Sequence, residues 1–306
     1  MRLRAGGMTP EALPSDGAGS EVGGMPFLRP VTGALAAALT MGVVLATGPA
    51  AAAAHDTWLV PARATLPAGV DATFDLTSGP AFPANATAVA AARVRTARVR
   101  MAGRTQALPA PVAGARALRF RVPLRSAGVA TVWVSLAPRA LTLDSAGVVE
   151  YLAHIGAPDS VRVAYLRQLP IDGVRQWHER SARHASTHVL VSSPLRPRPS
   201  DDGSWRAPTG MPLELVPLQD PTALRPGDTL VVRLLQHGQP LPGTAVGAVA
   251  PDGHALPPRR TDADGRVAIP LPQAGRWLLR ATQLRHALAA HAEWESDFTT
   301  LTVAVK

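Results

Sequence analysis

Pro212–Gly253 reads PLELVPLQDPTALRPGDTLVVRLLQHGQPLPGTAVGAVAPDG, and its spacing decides what kind of chain this is. Short apolar runs, each only long enough for a strand, are separated by turn residues: a strand, a turn, a strand, the GQPLPG connection and another strand. The pattern continues through TDADGRVAIPLPQAGRWLLRATQL, with a turn at Asp264 and Gly265 and a break at Gly275, and closes with WESDFTTLTVAV. Roughly six strands over about 95 residues predict an immunoglobulin-like β-sandwich across 211–306. No internal repeat points to a solenoid or propeller.

Working upstream, SSPLRPRPSDDGSW (Ser192–Trp205) is rich in Pro, Ser and Asp and opens a linker predicted over 196–210. Before it, His55 to about Leu143 carries the marks of an antiparallel unit. Strands are predicted at Thr57–Val60, Ala72–Leu76, Val94–Met101, Leu118–Val122 and Ala130–Leu136, with a hairpin turn in MAGRT where Gly103 can take a positive φ. Then the period changes. LDSAGVVEYLAHIGAPDSVRVAYLRQL offers Asp144 or Ser145 as an N-cap, Val148, Leu152 and Ile155 at helical spacing, a stop at Gly156 and Pro158, and a second cap at Asp159 or Ser160. DGVRQWHERSARHASTHVLV reads as a third helix running into a strand. The predicted class is therefore mainly β: a β-sandwich-like domain over 55–195 with a helical excursion at about 144–188, the linker, and the second sandwich.

The first histidine stands directly after five alanines, in GPAAAAAHDTWLVP. Arg29 supplies a positive flank, Val31 to Thr47 is apolar, and Ala52 and Ala54 fit the small-x-small rule for a secretory peptidase. Cleavage after Ala54 is expected, with Met25 as the compact start and residues 1–24 the product of an upstream start codon. The apolar stretch is short for a spanning helix and is interrupted by Gly48 and Pro49. A chain exported to the periplasm, with no integral membrane segment after processing, follows as an expectation.

Composition narrows the chemistry. The 306 residues contain no cysteine, which excludes a disulfide framework, a thiolate metal site, a cysteine nucleophile and a lipobox anchor. Lys+Arg number 31 against 22 Asp+Glu, but aromatics make up only 4% of the chain, too few for a nucleic-acid stacking platform. The basic cluster ARVRTARVRMAGR therefore reads as the solvated face of a strand, and no nucleic-acid partner is expected. HExxH, GxSxG, the Walker loop and the dinucleotide fingerprint are all missing, and no catalytic residue is assigned. Glu150 with Tyr151, and Glu179 with Arg180, read as polar helix-face residues.

His55 is the residue to which chemistry attaches. At a free amino terminus it would offer an α-amine and an imidazole nitrogen to one cation, and both deprotonate readily near neutral pH. Nitrogen donors of this kind suit nickel or cobalt, with copper and zinc open as well. Asp56 could add an oxygen. His184 and His188, four apart in the expected helix, are spaced as metal ligands would be; the competing reading is a solvated Arg- and His-rich face. His286 and His291 are expected in a loop between the last two strands. His154 and His178 read as surface or helix-packing residues.

These pieces, in order, resemble a family: AHDTWLVP, EYLAHIGA, HERSARHASTHVLV, the Pro212 stretch, TDADGRVAIPLPQAGRWLL and WESDFTTLTV match the landmarks of exported bacterial proteins carrying domain of unknown function 4198. That family is described as the periplasmic component of nickel/cobalt uptake systems. The resemblance implies a two-part β-rich accessory protein beside a metal-ion transporter or outer-membrane receptor, with the mature N-terminal histidine at His55, the acidic residue at Asp56 and the tryptophan at Trp58. Ser186 stands where relatives tend to have lysine. The C-terminal part also resembles carboxypeptidase-regulatory-like sandwiches, which are interaction modules. Two other readings stay in play: a structural docking module in which metal is incidental, and a redox copper site joining His55 to His286 or His291.

Overall fold

The computed structural model describes residues 55–169, 175–193, 202–287 and 293–306, all within one compact unit, Ala46–Lys306. The predicted leader and part of the predicted linker lie outside the described residues. The fold is mainly β, as the strand-and-turn spacing implies. Among the described residues no helix is long and apolar enough to cross a membrane.

The N-terminal strands are β1 (Asp56–Pro61), β2 (Thr65–Pro67), β3 (Asp71–Gly79), β4 (Thr87–Ala88), β5 (Val94–Met101), β6 (Arg104–Ala107), β7 (Val112–Ala113), β8 (Leu118–Pro123) and β9 (Gly128–Leu143). Helices α1 (Ser145–His154) and α2 (Asp159–Arg167) follow, then β10 (Trp177–Ser192). The C-terminal strands are β11 (Leu213–Pro217), β12 (Asp228–Gln236), β13 (Gln239–Pro240), β14 (Ala245–Val249), β15 (Ala255–Arg260), β16 (Arg266–Leu271), β17 (Gly275–His286) and β18 (Trp294–Val305).

They form three sheets. One runs β1-β3-β8-β7 with β4 on β3; one runs β11-β12-β13 with β16 on β12; the largest runs β15-β14-β17-β18-β10-β9-β5-β6 with β2 on β10. At the middle of the large sheet β10 and β18 pair in parallel, from Glu179 opposite Trp294 to Thr187 opposite Thr302. Strands from both sides of 196–210 thus belong to one sheet, through a pairing between residues more than a hundred positions apart.

Burial explains the layering. On the front face of the large sheet, Leu59, Phe74, Leu76 and Phe120 of the small N-terminal sheet pack on Val132, Val134, Ala185 and Val189. On the back face, Leu213, Leu230 and Val232 pack on Trp277, Leu279, Leu301 and Val303. The remaining front face is covered by the helices, whose Val148, Tyr151, Leu152 and Tyr165 bury Leu141, Leu143, Trp177 and Phe298. The sheet is therefore sandwiched on opposite faces at its two halves, and a seam separates the small sheet from the helices.

The two short helices follow their sequence signals. Asp144 caps α1, its Oδ1 accepting from the Gly147 amide at 2.8 Å. Past the end of α1, Gly156 has φ 63°, and a Cβ there would lie 2.7 Å from that of Ala245, so both conformation and close packing require glycine. Removing the cap in Asp144→Ala is expected to cost about 1 kcal/mol, read as a fall of about 2–4 °C in Tm for a unit of this size; an unchanged Tm would show the cap to be dispensable.

The predicted third helix is corrected by the structure. Trp177–Ser192 is a strand of 16 residues, so the helical excursion ends at Arg167 and not near 188. Most of the polar residues that suggested a solvated helix face are buried on the two sides of a central strand, while His178 and Arg180 stay exposed. Ser186 and Thr187 donate to the Thr300 and Thr302 carbonyls of β18 at 3.3 and 2.9 Å. Glu179 accepts from Tyr151 Oη and Trp177 Nε1, each at 2.8 Å, and from Ser296 Oγ. A central strand flanked on both sides is usually apolar; here hydrogen bonds from distant elements satisfy its polar groups.

Candidate functional site

The seam on the front face brings together charged and metal-competent side chains from the first strand, a helix end and the large sheet. His55, half-buried, leads into β1, and Asp56 is that strand's first residue. β1 is held on both sides: Ser78 Oγ donates to the Asp56 carbonyl at 2.9 Å, and Thr300 Oγ1 to the Thr57 carbonyl at 2.7 Å. Trp58 and Val60 pack against Phe82, Val249 and Leu278, which anchors Asp56 against the large sheet.

Two elements from elsewhere meet Asp56. α1 delivers His154 as its last residue, and β17 delivers Arg280, opposite Gly247 of β14. One guanidinium nitrogen, Arg280 Nη1, lies 2.6 Å from Asp56 Oδ2 and 2.9 Å from His154 Nε2. A guanidinium can only donate, so Nε2 is the lone-pair nitrogen of that ring. Asp56 Oδ1 and His154 Nε2 are 3.8 Å apart, too far for a hydrogen bond of their own. Gly247 makes room for the arginine: a Cβ there would sit 3.3 Å from Arg280 Nε. A cavity of about 190 Å³ opens beside these groups.

Electrostatics set the protonation states. Burial would raise the Asp56 carboxyl, but the Arg280 guanidinium bonded to it outweighs that and holds the group below the ordinary carboxylate range. Burial lowers the His55 imidazole, and the nearby cations Arg183 and Arg139 lower it further. His55 is thereby kept neutral, its lone pair available, to lower pH than an ordinary histidine. Arg183 lies beneath the seam, its guanidinium 4.2 Å from the Phe298 ring centre; burial draws its pKa down to about 10.

The other predicted ligands do not join this set. His184 and His188 lie on a strand, not on a helix turn, and although both face the back of the sheet they are about 13 Å apart at ~3.3 Å per residue. His184 is engaged, with Nδ1 3.0 Å from Ser135 Oγ and Nε2 3.2 Å from Asp297 Oδ1. His188 is buried, and neither ring nitrogen has a hydrogen-bond partner among the described residues. His286 is not in a loop; it ends β17, where its ring stacks on Trp294 with centroids 4.0 Å apart. It stands six residues along that strand from Arg280, roughly 20 Å away. His291 lies outside the described residues. Among the described residues, no three His, Cys, Asp or Glu side chains are grouped to hold a metal ion. His154, Arg280, Arg183 and Arg139 were not singled out by sequence reasoning; only the position of His154 just before a helix stop hinted that it sits at an element boundary.

Sheet layers and seam together define a mainly β, sandwich-type protein with a polar site where its first described strand meets a helix end. The chain belongs to the Domain of unknown function (DUF4198) family, which matches residues 52–285. No curated protein matches it. Among solved structures, the Yersinia pseudotuberculosis adhesin InvE is similar at 12% identity and TM-score 0.20, over 83% of this chain and 59% of that one. Native alpha-2-macroglobulin from Escherichia coli, in a structure spanning domains MG0-NIE-MG1, is similar at 11% identity and TM-score 0.19, over 81% and 95% of the two chains. Neither likeness reaches the level at which two folds coincide.

Proposed function

We propose that the protein is a non-enzymatic, exported metal-binding component that serves nickel or cobalt uptake, working beside a metal-ion transporter or outer-membrane receptor in the periplasm. Removal of the leader after Ala54 frees the His55 α-amine next to its imidazole, and Asp56 and His154 supply an oxygen and a third nitrogen. The carrying observation is the convergence of the Asp56 carboxylate and the His154 lone pair on one guanidinium nitrogen, at 2.6 and 2.9 Å, in the seam that also receives His55. Such a nitrogen-rich donor set with one carboxylate suits nickel, cobalt, copper or zinc better than the hard cations magnesium and calcium. The rival reading, an envelope docking module without obligatory metal, is favoured by the lack of three grouped side-chain ligands among the described residues.

Calorimetric titration separates the two. Nickel(II) or cobalt(II) is expected to bind the chain that begins at His55 and to bind about 10- to 100-fold more weakly to His55→Ala, or to a chain with one extra residue before His55, the range seen when a metal site loses a supporting group. Equal binding by all three would remove the amino-terminal site, and no binding by any would leave the docking module.

A further inference from the structure

The back face of the large sheet carries a second, chemically different site. An open groove of about 590 Å³ lies between the outer strands β5, β9 and β10 and the segment Pro208–Pro212, a volume in the range of small-molecule sites. We infer that this groove binds a small hydroxylated organic polycarboxylate.

Its positive charge comes from a bulge. Residues three apart in a regular strand face opposite sides, yet Arg95 and Arg98 both line the groove. The register between β5 and β9 slips from Val94 opposite Leu136 to Thr96 opposite Ser135; the extra residue re-aims Arg95 to the side of Arg98. Both arginines are exposed, and neither has a carboxylate partner among the described residues. They are thus two planar forks available for bidentate carboxylate binding.

The far wall is built rather than loose. Arg100 donates to the Pro208 carbonyl at 2.9 Å and to the Ala207 carbonyl. The buried Glu214 accepts from the Thr209 amide and hydroxyl, each at 2.6 Å, and from the Gly210 amide at 3.2 Å. The one carboxylate on the floor, Asp297, is charge-paired with Arg285, whose Nη1 is 2.6 Å from its Oδ2, and accepts from the neutral His184 ring, whose Nε2 is 3.2 Å from its Oδ1.

That pairing also fixes what Ser135 can offer. Asp297 accepts, so the His184 proton lies on Nε2 and Nδ1 is left to accept from Ser135 Oγ at 3.0 Å. With its hydrogen committed to His184, the Ser135 hydroxyl presents only lone pairs to the groove. A ligand that completes the site brings carboxylates to Arg95 and Arg98 and a hydroxyl donor to Ser135.

Titration of the full chain in metal-free buffer tests this with citrate, with tricarballylate, which has the same carboxylates but no hydroxyl, and with inorganic phosphate. Citrate is expected to bind, and tricarballylate about tenfold more weakly, the worth of one hydrogen bond near 1.4 kcal/mol. Arg95→Ala/Arg98→Ala should weaken citrate at least tenfold, while Arg116→Ala/Arg121→Ala, which removes the same charge from an exposed region outside the groove, leaves it unchanged. Ser135→Ala should abolish the preference for citrate over tricarballylate. No citrate binding at millimolar concentration, phosphate binding as tightly as citrate, or equal weakening by both double substitutions would overturn the inference.

Discussion

Acidification from pH 7 to pH 5 is expected to cost the fold about 2 kcal/mol through His188 alone, and most of that loss should vanish in His188→Met. The ring is buried in the back face of β10, opposite Thr131. Burial lowers its pKa, and the Arg100 guanidinium lowers it further, to about 3 from an ordinary 6.5. Because the folded pKa is depressed, the unfolded chain takes up the proton first as pH falls, so stability is complete above about pH 6.5 and declines progressively toward pH 3. At ~1.4 kcal/mol per pH unit the full loss approaches 5 kcal/mol, and about 2 kcal/mol of it has occurred at pH 5. No hydrogen bond within the described residues rewards either ring nitrogen, so an apolar side chain of similar size gives up little at neutral pH. Denaturant unfolding of both chains at pH 7 and pH 5 reads the effect; parallel losses in the two would show that His188 is not the acid-sensitive group.

The same strand shows where sequence reading runs out. Val94–Met101 was legible to the residue because alternation and the Gly103 turn are local signals, and Ala102 and Gly103 do take positive φ, 48° and 70°. Trp177–Ser192 was not. Its Glu179, Arg183 and His184 look solvated in isolation, and their partners come from α1, β9 and β18, up to 117 positions away. A parallel pairing such as β10 with β18 leaves no turn between its members to announce it. His55 and Asp56 stood out because of what precedes them, five alanines. Arg280 and His154 carried no such mark: Arg280 reads as the polar partner in an alternating strand, and only the meeting of β17 with a helix end makes it part of a site.

Arg280→Ala is expected to move apo stability and metal affinity in opposite directions. Without metal, Arg280 Nη1 holds the point between Asp56 Oδ2 and His154 Nε2. Removing it leaves a largely buried carboxylate without its 2.6 Å partner, a change expected to cost about 1–3 kcal/mol. A divalent cation drawn to the same two donors must first displace that guanidinium, so the wild-type chain pays its Asp56–Arg280 pairing out of the binding energy. The substituted chain has no such competitor. Nickel(II) should therefore bind it at least about tenfold more tightly and raise its Tm by more than that of the wild type, since a ligand stabilises in proportion to its preference for the folded state. Arg280→Lys is the control: its compact ammonium can still reach a carboxylate but lacks the planar fork, so it should fall between the two. If Arg280→Ala lowered stability and weakened nickel binding together, the arginine would be a scaffold for the seam, and Asp56 and His154 would not be the donors that the cation meets.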